Sequence, residues 1–141
     1  MNIKVIKIFL RSSIAVGFIS AVADRFGHWP KDLSAWGNWD SFLEYTQSLN
    51  PLIPENLISI VGATATIAEI IFAICLIIGF KTELFAKLSG YLILLFALAM
   101  TFTSGVKGAL DYSVFAAAAA AFALSTMKVK HLEIDTVLRK K

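Results

Sequence analysis

The stretch Leu57–Phe80, LISIVGATATIAEIIFAICLIIGF, is 24 residues long and carries a single charge, Glu69. A helix needs about 20 apolar residues to cross the hydrocarbon of a bilayer. This stretch therefore reads as a membrane span with a carboxylate near its middle. Leu88–Val106 supplies 19 residues with no charge at all. Tyr112–Met127 adds 16, or 19 if Ala109, Leu110 and Asp111 join it. The N-terminal segment is long enough but carries Lys7, Arg11, Asp24 and Arg25. The predicted spans are 5–26, 57–80, 84–104 and 109–127, in one domain over residues 1–141.

Composition agrees with this reading. The chain is 57% hydrophobic, with a mean hydropathy of +0.73, too apolar for an ordinary soluble domain. A water-soluble helical bundle would need more polar helix surface than remains. The fold class that follows is all-α: an antiparallel four-helix membrane bundle, with a short amphipathic helix in the outer loop, residues 27–56. A competing reading of the N-terminus is a secretory signal peptide. In it Lys4, Lys7 and Arg11 precede an apolar run ending at Ala21-Val22-Ala23. Ser12, Ser13 and Ser20 break that run.

Lysine and arginine set the orientation. Lys4, Lys7, Lys81, Lys87, Lys128, Lys130, Arg139, Lys140 and Lys141 fall on one side of the threaded chain, and only Arg25, Lys31 and Lys107 on the other. The expected location is the plasma (inner) membrane with both termini cytoplasmic and a tail over 128–141. The net charge of +3 is then a topology signal, and no nucleic-acid partner is called for. Membrane lipid is the expected environment.

In the outer loop, Phe42, Tyr45, Thr46 and Leu49 recur at helical spacing, Ser41 and Glu44 have capping-box spacing, and Asn50-Pro51 stops the helix. Trp29, Trp36, Trp39 and Tyr45 fit either headgroup anchoring or the lining of a ligand pocket. Ser13, Gly17, Ser20 and Asp24 share one side of the first helix, as Gly62, Thr66, Glu69 and Ala73 do on the second. Such small-residue stripes predict close helix packing.

Charge inside a span is expensive unless paired, protonated or wetted. Counting 1.5 Å per residue places Glu69 roughly 15 Å, and Arg11 roughly 9 Å, from the same membrane face. The expected pocket is thus a buried Arg11–Glu69 pair supported by Thr66. Such a pair either locks two helices in register or serves a proton or a polar headgroup. Asp24, Arg25 and Asp111 form a second expected cluster at the outer ends, with Arg25–Asp111 as its ion pair. Cys75 is the sole cysteine, so no CxxC centre exists. His28 and His131 fall on opposite sides, which excludes a shared metal or haem. Neither the Walker nor the dinucleotide glycine pattern occurs. No catalytic residue, metal site or intrinsic cofactor is indicated.

The run Ala68-Glu69-Ile70-Ile71-Phe72-Ala73-Ile74-Cys75-Leu76-Ile77-Ile78-Gly79-Phe80-Lys81-Thr82 resembles the second helix of the DoxX-like family. Leu10-Arg11 with Gly17 resembles that family's first helix. The likeness covers residues 8–127, through short motifs. It implies a four-helix membrane protein, some of whose relatives serve quinone oxidoreductase or oxidative-stress assemblies. The expectation is an accessory, non-catalytic subunit of a membrane redox system, at most an oxidoreductase subunit. Its implied ligand is a quinone or lipid, and its implied partner a soluble or membrane oxidoreductase subunit. Two other roles fit the residues: a small-solute or proton-linked carrier using Glu69, and a purely structural assembly factor.

Overall fold

A computed structural model describes residues 2–138, so Arg139, Lys140 and Lys141 of the basic tail lie outside the described residues. All regular structure among the described residues is helical. The helices are α1 (Ile3–Arg25), α2 (Trp39–Leu49), α3 (Glu55–Ile78), α4 (Thr82–Ser104), α5 (Val106–Asp111), α6 (Val114–Thr126) and α7 (Ile134–Leu138). Three of them, α1, α3 and α4, are long and apolar enough to cross a membrane. The chain is a multi-pass membrane protein.

Local chemistry explains the boundaries. Asn2 caps α1 by accepting from the Lys4 amide. Asn38 does the same for α2, accepting from Ser41 at 2.8 Å. The helix therefore starts ahead of the Ser41–Glu44 box expected to open it. α3 follows Pro54 and ends at Gly79, which adopts φ 71° and donates back to the Cys75 carbonyl. Only a few residues separate α3 from α4, so the two run antiparallel.

The last expected span departs from a single helix over 109–127. Ser113 takes φ 55°, and the chain breaks there into α5 and α6. At 1.5 Å per residue α6 alone is about 20 Å long, short of the roughly 30 Å hydrocarbon thickness.

α1 packs chiefly on α3, α3 on α4, and α4 on α6, while α2 lies mainly on α3. Ile14 and Phe18, Ala73 and Leu76, Ala86 and Ile93, and Ala118 and Leu124 bring the four helices to one core. Small residues allow the close approaches. A Cβ on Gly90 would stand 2.8 Å from the Phe122 ring, and one on Gly62 would stand 2.7 Å from Leu43. Gly17 is different: a Cβ there meets nothing within 4 Å. The stripe on α1 therefore borders open space instead of a helix contact. Large apolar side chains point outward, Phe102 at 83% exposure and Phe9 at 69% among them, an arrangement suited to lipid and costly in water.

Candidate functional site

The buried face of α1 carries Lys7, Arg11, Ile14, Phe18 and Arg25. These positions fall at three-, four- and seven-residue steps, so cations share one stripe with core hydrophobes. Each cation finds its own partners, and they differ from those the sequence suggested.

Arg25, and not Arg11, meets Glu69. Both terminal nitrogens of the guanidinium bind the carboxylate, Nη2 at 2.9 Å from Oε1 and Nη1 on Oε2. Nη1 also donates to Thr66 Oγ1 at 2.7 Å, and that hydroxyl donates onward to the Gly62 carbonyl. Thr66 thus belongs with Glu69 as expected, but beside a different arginine. The pair is nearly sealed, at 3% and 1% exposure. Phe42 lies 4.1 Å and Trp36 5.4 Å from the guanidinium carbon, adding cation–π contacts on a desolvated charge. Arg25 Nε is buried without an acceptor.

Arg11 serves the opposite end of the bundle. It donates to Leu76 and Ile77 at 2.8 Å each, and to His131 and Leu132 at 3.1 and 3.0 Å. The first two carbonyls belong to the last turn of α3, where intrahelical donors run out and the dipole favours a cation. The expected Arg11–Glu69 pair fails for a reason of register. The depth count placed the start of α1 level with the end of α3. Instead, Arg11 stands level with the end of α3, so the first two turns of α1 project beyond it.

That projection holds the tail. Lys7, fully buried, donates to Met127 and Val129 carbonyls at 2.9 and 2.7 Å and lies 2.6 Å from Glu133. Glu133 is 2% exposed and also lies 3.2 Å from Lys130. Its oxygens make no well-aligned hydrogen bond, so the contact is ionic. Lys130 further bridges to Glu83. Burial by itself would lower the Lys130 pKa, yet its hydrogen bond to Glu83 and the charges of Glu83 and Glu133 raise it. On the alkaline side its ion pairs therefore persist past neutral pH and weaken as pH climbs through that raised value.

Gly79 is essential to this clamp. A Cβ there would lie 2.6 Å from the Glu133 backbone and 2.7 Å from Arg11 Nη2, at a positive φ. Gly79→Ala is expected to cost about 1–3 kcal/mol and to release the tail. Faster trypsin cleavage after Lys128 and Lys130 in the detergent-solubilised variant would show it. Cleavage at the native rate would contradict the clamp.

At the other end, Asp24 and Asp111 separate. Asp111 pairs with Lys107 on α5, at 57% and 85% exposure, so it does not join Arg25. A surface pair of this kind contributes about 0.3–0.5 kcal/mol. Asp24 turns to the following loop. It accepts from the Ser34 hydroxyl and from the amides of Ala35, Trp36 and Gly37 at 2.8, 3.2 and 3.4 Å. Successive amides gathered on one carboxylate form a nest, and this one fixes Trp36 against Arg25. Asp24→Asn removes the charge and one acceptor oxygen, a loss of about 1–3 kcal/mol. Amide exchange at Ala35–Gly37 is expected to accelerate while exchange in α3 and α4 stays slow.

Between α1 and α6 lies a cleft of about 920 Å³. Leu10, Ser13 and Gly17 line it along α1, Ala117 and Ala120 along α6, and Ile93 and Phe96 along α4. Asp24, Arg25 and Glu69 reach it, and Trp29, Trp36 and Tyr112 stand around that charged end. Two of the loop tryptophans are thus pocket residues. His, Cys, Asp and Glu side chains do not cluster in threes for a metal among the described residues. Comparison of the chain with protein-family models, curated proteins and solved structures finds no match.

The Lys7–Glu133 contact has no counterpart in the sequence reading. The available signal was Lys7 and Arg11, four residues apart on the Ile14–Phe18 stripe, a doubled cation that required carbonyls or an acid. Nothing along the chain pointed to Glu133 as that acid.

Proposed function

We propose that this chain is a non-catalytic membrane component that holds an apolar or amphipathic ligand in the α1–α6 cleft. The observation that carries this reading is the cleft itself. It is large by the standard of small-molecule sites, about 300–1,000 Å³, it is walled mainly by apolar side chains, and it ends on one buried charged group. The proposed setting is the plasma (inner) membrane. There α5 and α6 together complete a fourth crossing, both termini face the cytoplasm, and α2 lies at the outer surface. The DoxX-like resemblance in α1 and α3 supports a role beside a membrane redox system, with a quinone or lipid as ligand and an oxidoreductase subunit as partner.

Glu69 bears on the carrier reading. Both of its oxygens are taken by Arg25, and this favours an anchoring carboxylate over one that exchanges a solute. Native mass spectrometry of protein released from a mild detergent tests the proposal. The expected spectrum shows a stoichiometric small molecule retained by the protein, with or without an oxidoreductase subunit. Repeated recovery of the bare chain would count decisively against it.

A further inference from the structure

In the tail that follows α6, apolar side chains face outward and an acid faces inward. Ile134, Val137 and Leu138 stand three and four residues apart, on one face of α7, and all three are exposed. Leu132, just ahead of them, is 71% exposed. Glu133 lies between, buried against Lys7 and Lys130. Leu132 takes φ 48°, a left-handed conformation that a bulky side chain seldom adopts. The chain accepts it at the bend where Glu133 turns in and the leucine stays out. A tail surrounded by water would reverse this arrangement, because a contiguous apolar face is costly there.

The clamp fixes the depth of this face. A Cβ on Gly79, which ends α3, would lie 2.6 Å from the Glu133 backbone. One guanidinium, that of Arg11, joins the Leu76 and Ile77 carbonyls of α3 to those of His131 and Leu132. The tail is therefore packed directly on the end of a membrane-spanning helix. The apolar run of α3 closes at Phe80, ahead of Lys81, and this marks the edge of the hydrocarbon. Beyond that edge the headgroup layer is about 5–7 Å thick, so Leu132 and the start of α7 lie within it. Charge at this end is one-sided as well. Ten of the chain's 13 lysines and arginines belong to the segments that meet here or follow Leu138, against three acids, Glu83, Glu133 and Asp135. Lys4, Lys81, Lys87 and Lys128 are exposed.

We propose that Leu132 and α7 form an interfacial anchor that docks on anionic lipid, with Ile134, Val137 and Leu138 seated among the acyl-chain ends and the surrounding lysines on the phosphates. An anionic bilayer surface complements both features at this depth, apolar matter for the outward face and negative charge for the cations around it. The anchor stands at the opposite end of the bundle from Arg25 and Glu69, and it does not depend on a ligand in the cleft.

The test uses the full-length protein in nanodiscs of phosphatidylcholine and phosphatidylglycerol in equal parts. A fluorophore is attached at Val137→Cys in a Cys75→Ala background. Val137 is 65% exposed, so the label displaces no packed side chain. Quenching is measured with phosphatidylglycerol or phosphatidylcholine bearing a nitroxide near the top of one chain, and with iodide in the water. The label is expected to respond to lipid-borne nitroxide and little to iodide. The phosphatidylglycerol probe is expected to act at about fivefold lower mole fraction than the phosphatidylcholine probe, the factor that one lysine or arginine contributes at an anionic surface. Leu138→Asp, on the same face, is expected to exchange lipid quenching for quenching by iodide. Equal action of the two lipid probes would overturn the choice of an anionic surface. Quenching by iodide alone would place the tail in water and overturn the anchor. Protection from all three quenchers would mean that a second copy or another protein covers this face, which also overturns it.

Discussion

Glu69→Ala is expected to lower the unfolding free energy in detergent by about 3–5 kcal/mol, the cost of leaving one member of a buried ion pair uncompensated. The stranded group is Arg25, at 3% exposure between Phe42 and Trp36. Its remaining side-chain acceptor is Thr66 Oγ1, a neutral hydroxyl. The double variant Arg25→Met/Glu69→Leu separates the penalty of a lone charge from the worth of the pair. Well-packed apolar replacements of buried pairs are often neutral, so this variant is expected to regain more than half of the lost stability. Thermal unfolding followed by near-ultraviolet circular dichroism measures both. A double variant no more stable than Glu69→Ala would mean that the pair itself, with its cation–π neighbours, is strongly net stabilising.

Replacement of Arg11 is the second large effect. Its guanidinium bridges two carbonyls that end α3 and two from the segment after α6. Hydrogen bonds from a charged donor contribute about 1.5–3 kcal/mol each, and their sum is never additive, so Arg11→Ala is expected to cost at least about 3 kcal/mol. Arg11→Lys is expected to recover less than half. A lysine is a point donor and cannot span four acceptors as the planar fork does. The readouts are thermal stability and the rate of proteolysis in the 128–133 segment, which are expected to change together. An Arg11→Lys variant equal to the parent in both would show that charge alone, without the fork, holds this end.

Helical class and membrane character were legible because they depend on short-range chemistry. A run such as Leu57–Phe80 has one use for its apolar side chains, and Gly79 ends it where the backbone must turn left-handed. The break at Ser113 was not legible. Serine gives no strong signal for a positive φ, and the alanine run after it suits an unbroken helix equally well.

The site was half legible. The residues that matter were recognisable as charges placed where lipid would not tolerate them: Arg11, Arg25 and Glu69 on spans, and Asp24 at a helix end. Their pairing was not. Ion pairing between helices depends on how far one helix slides along another, and Arg11 and Arg25, about four turns apart on one face of α1, are alternative partners for Glu69. Asp111 was displaced from the expected cluster by a nearer partner, Lys107, one helical turn away on α5. The Gly17 stripe misled for a related reason, since small side chains are equally compatible with a tight contact and with a void.

The amino-acid sequence by itself determined that this chain is a helical membrane protein with charges it must neutralise internally. Hydrophobic length and the cost of buried charge are properties of each segment alone. Only the tertiary structure decided that Arg25 answers Glu69, that Arg11 and Lys7 fasten the tail, and that α1 and α6 stand apart around a cleft. Those outcomes depend on relative displacement between helices, which is fixed by packing summed over the whole bundle and is written in no single stretch of residues.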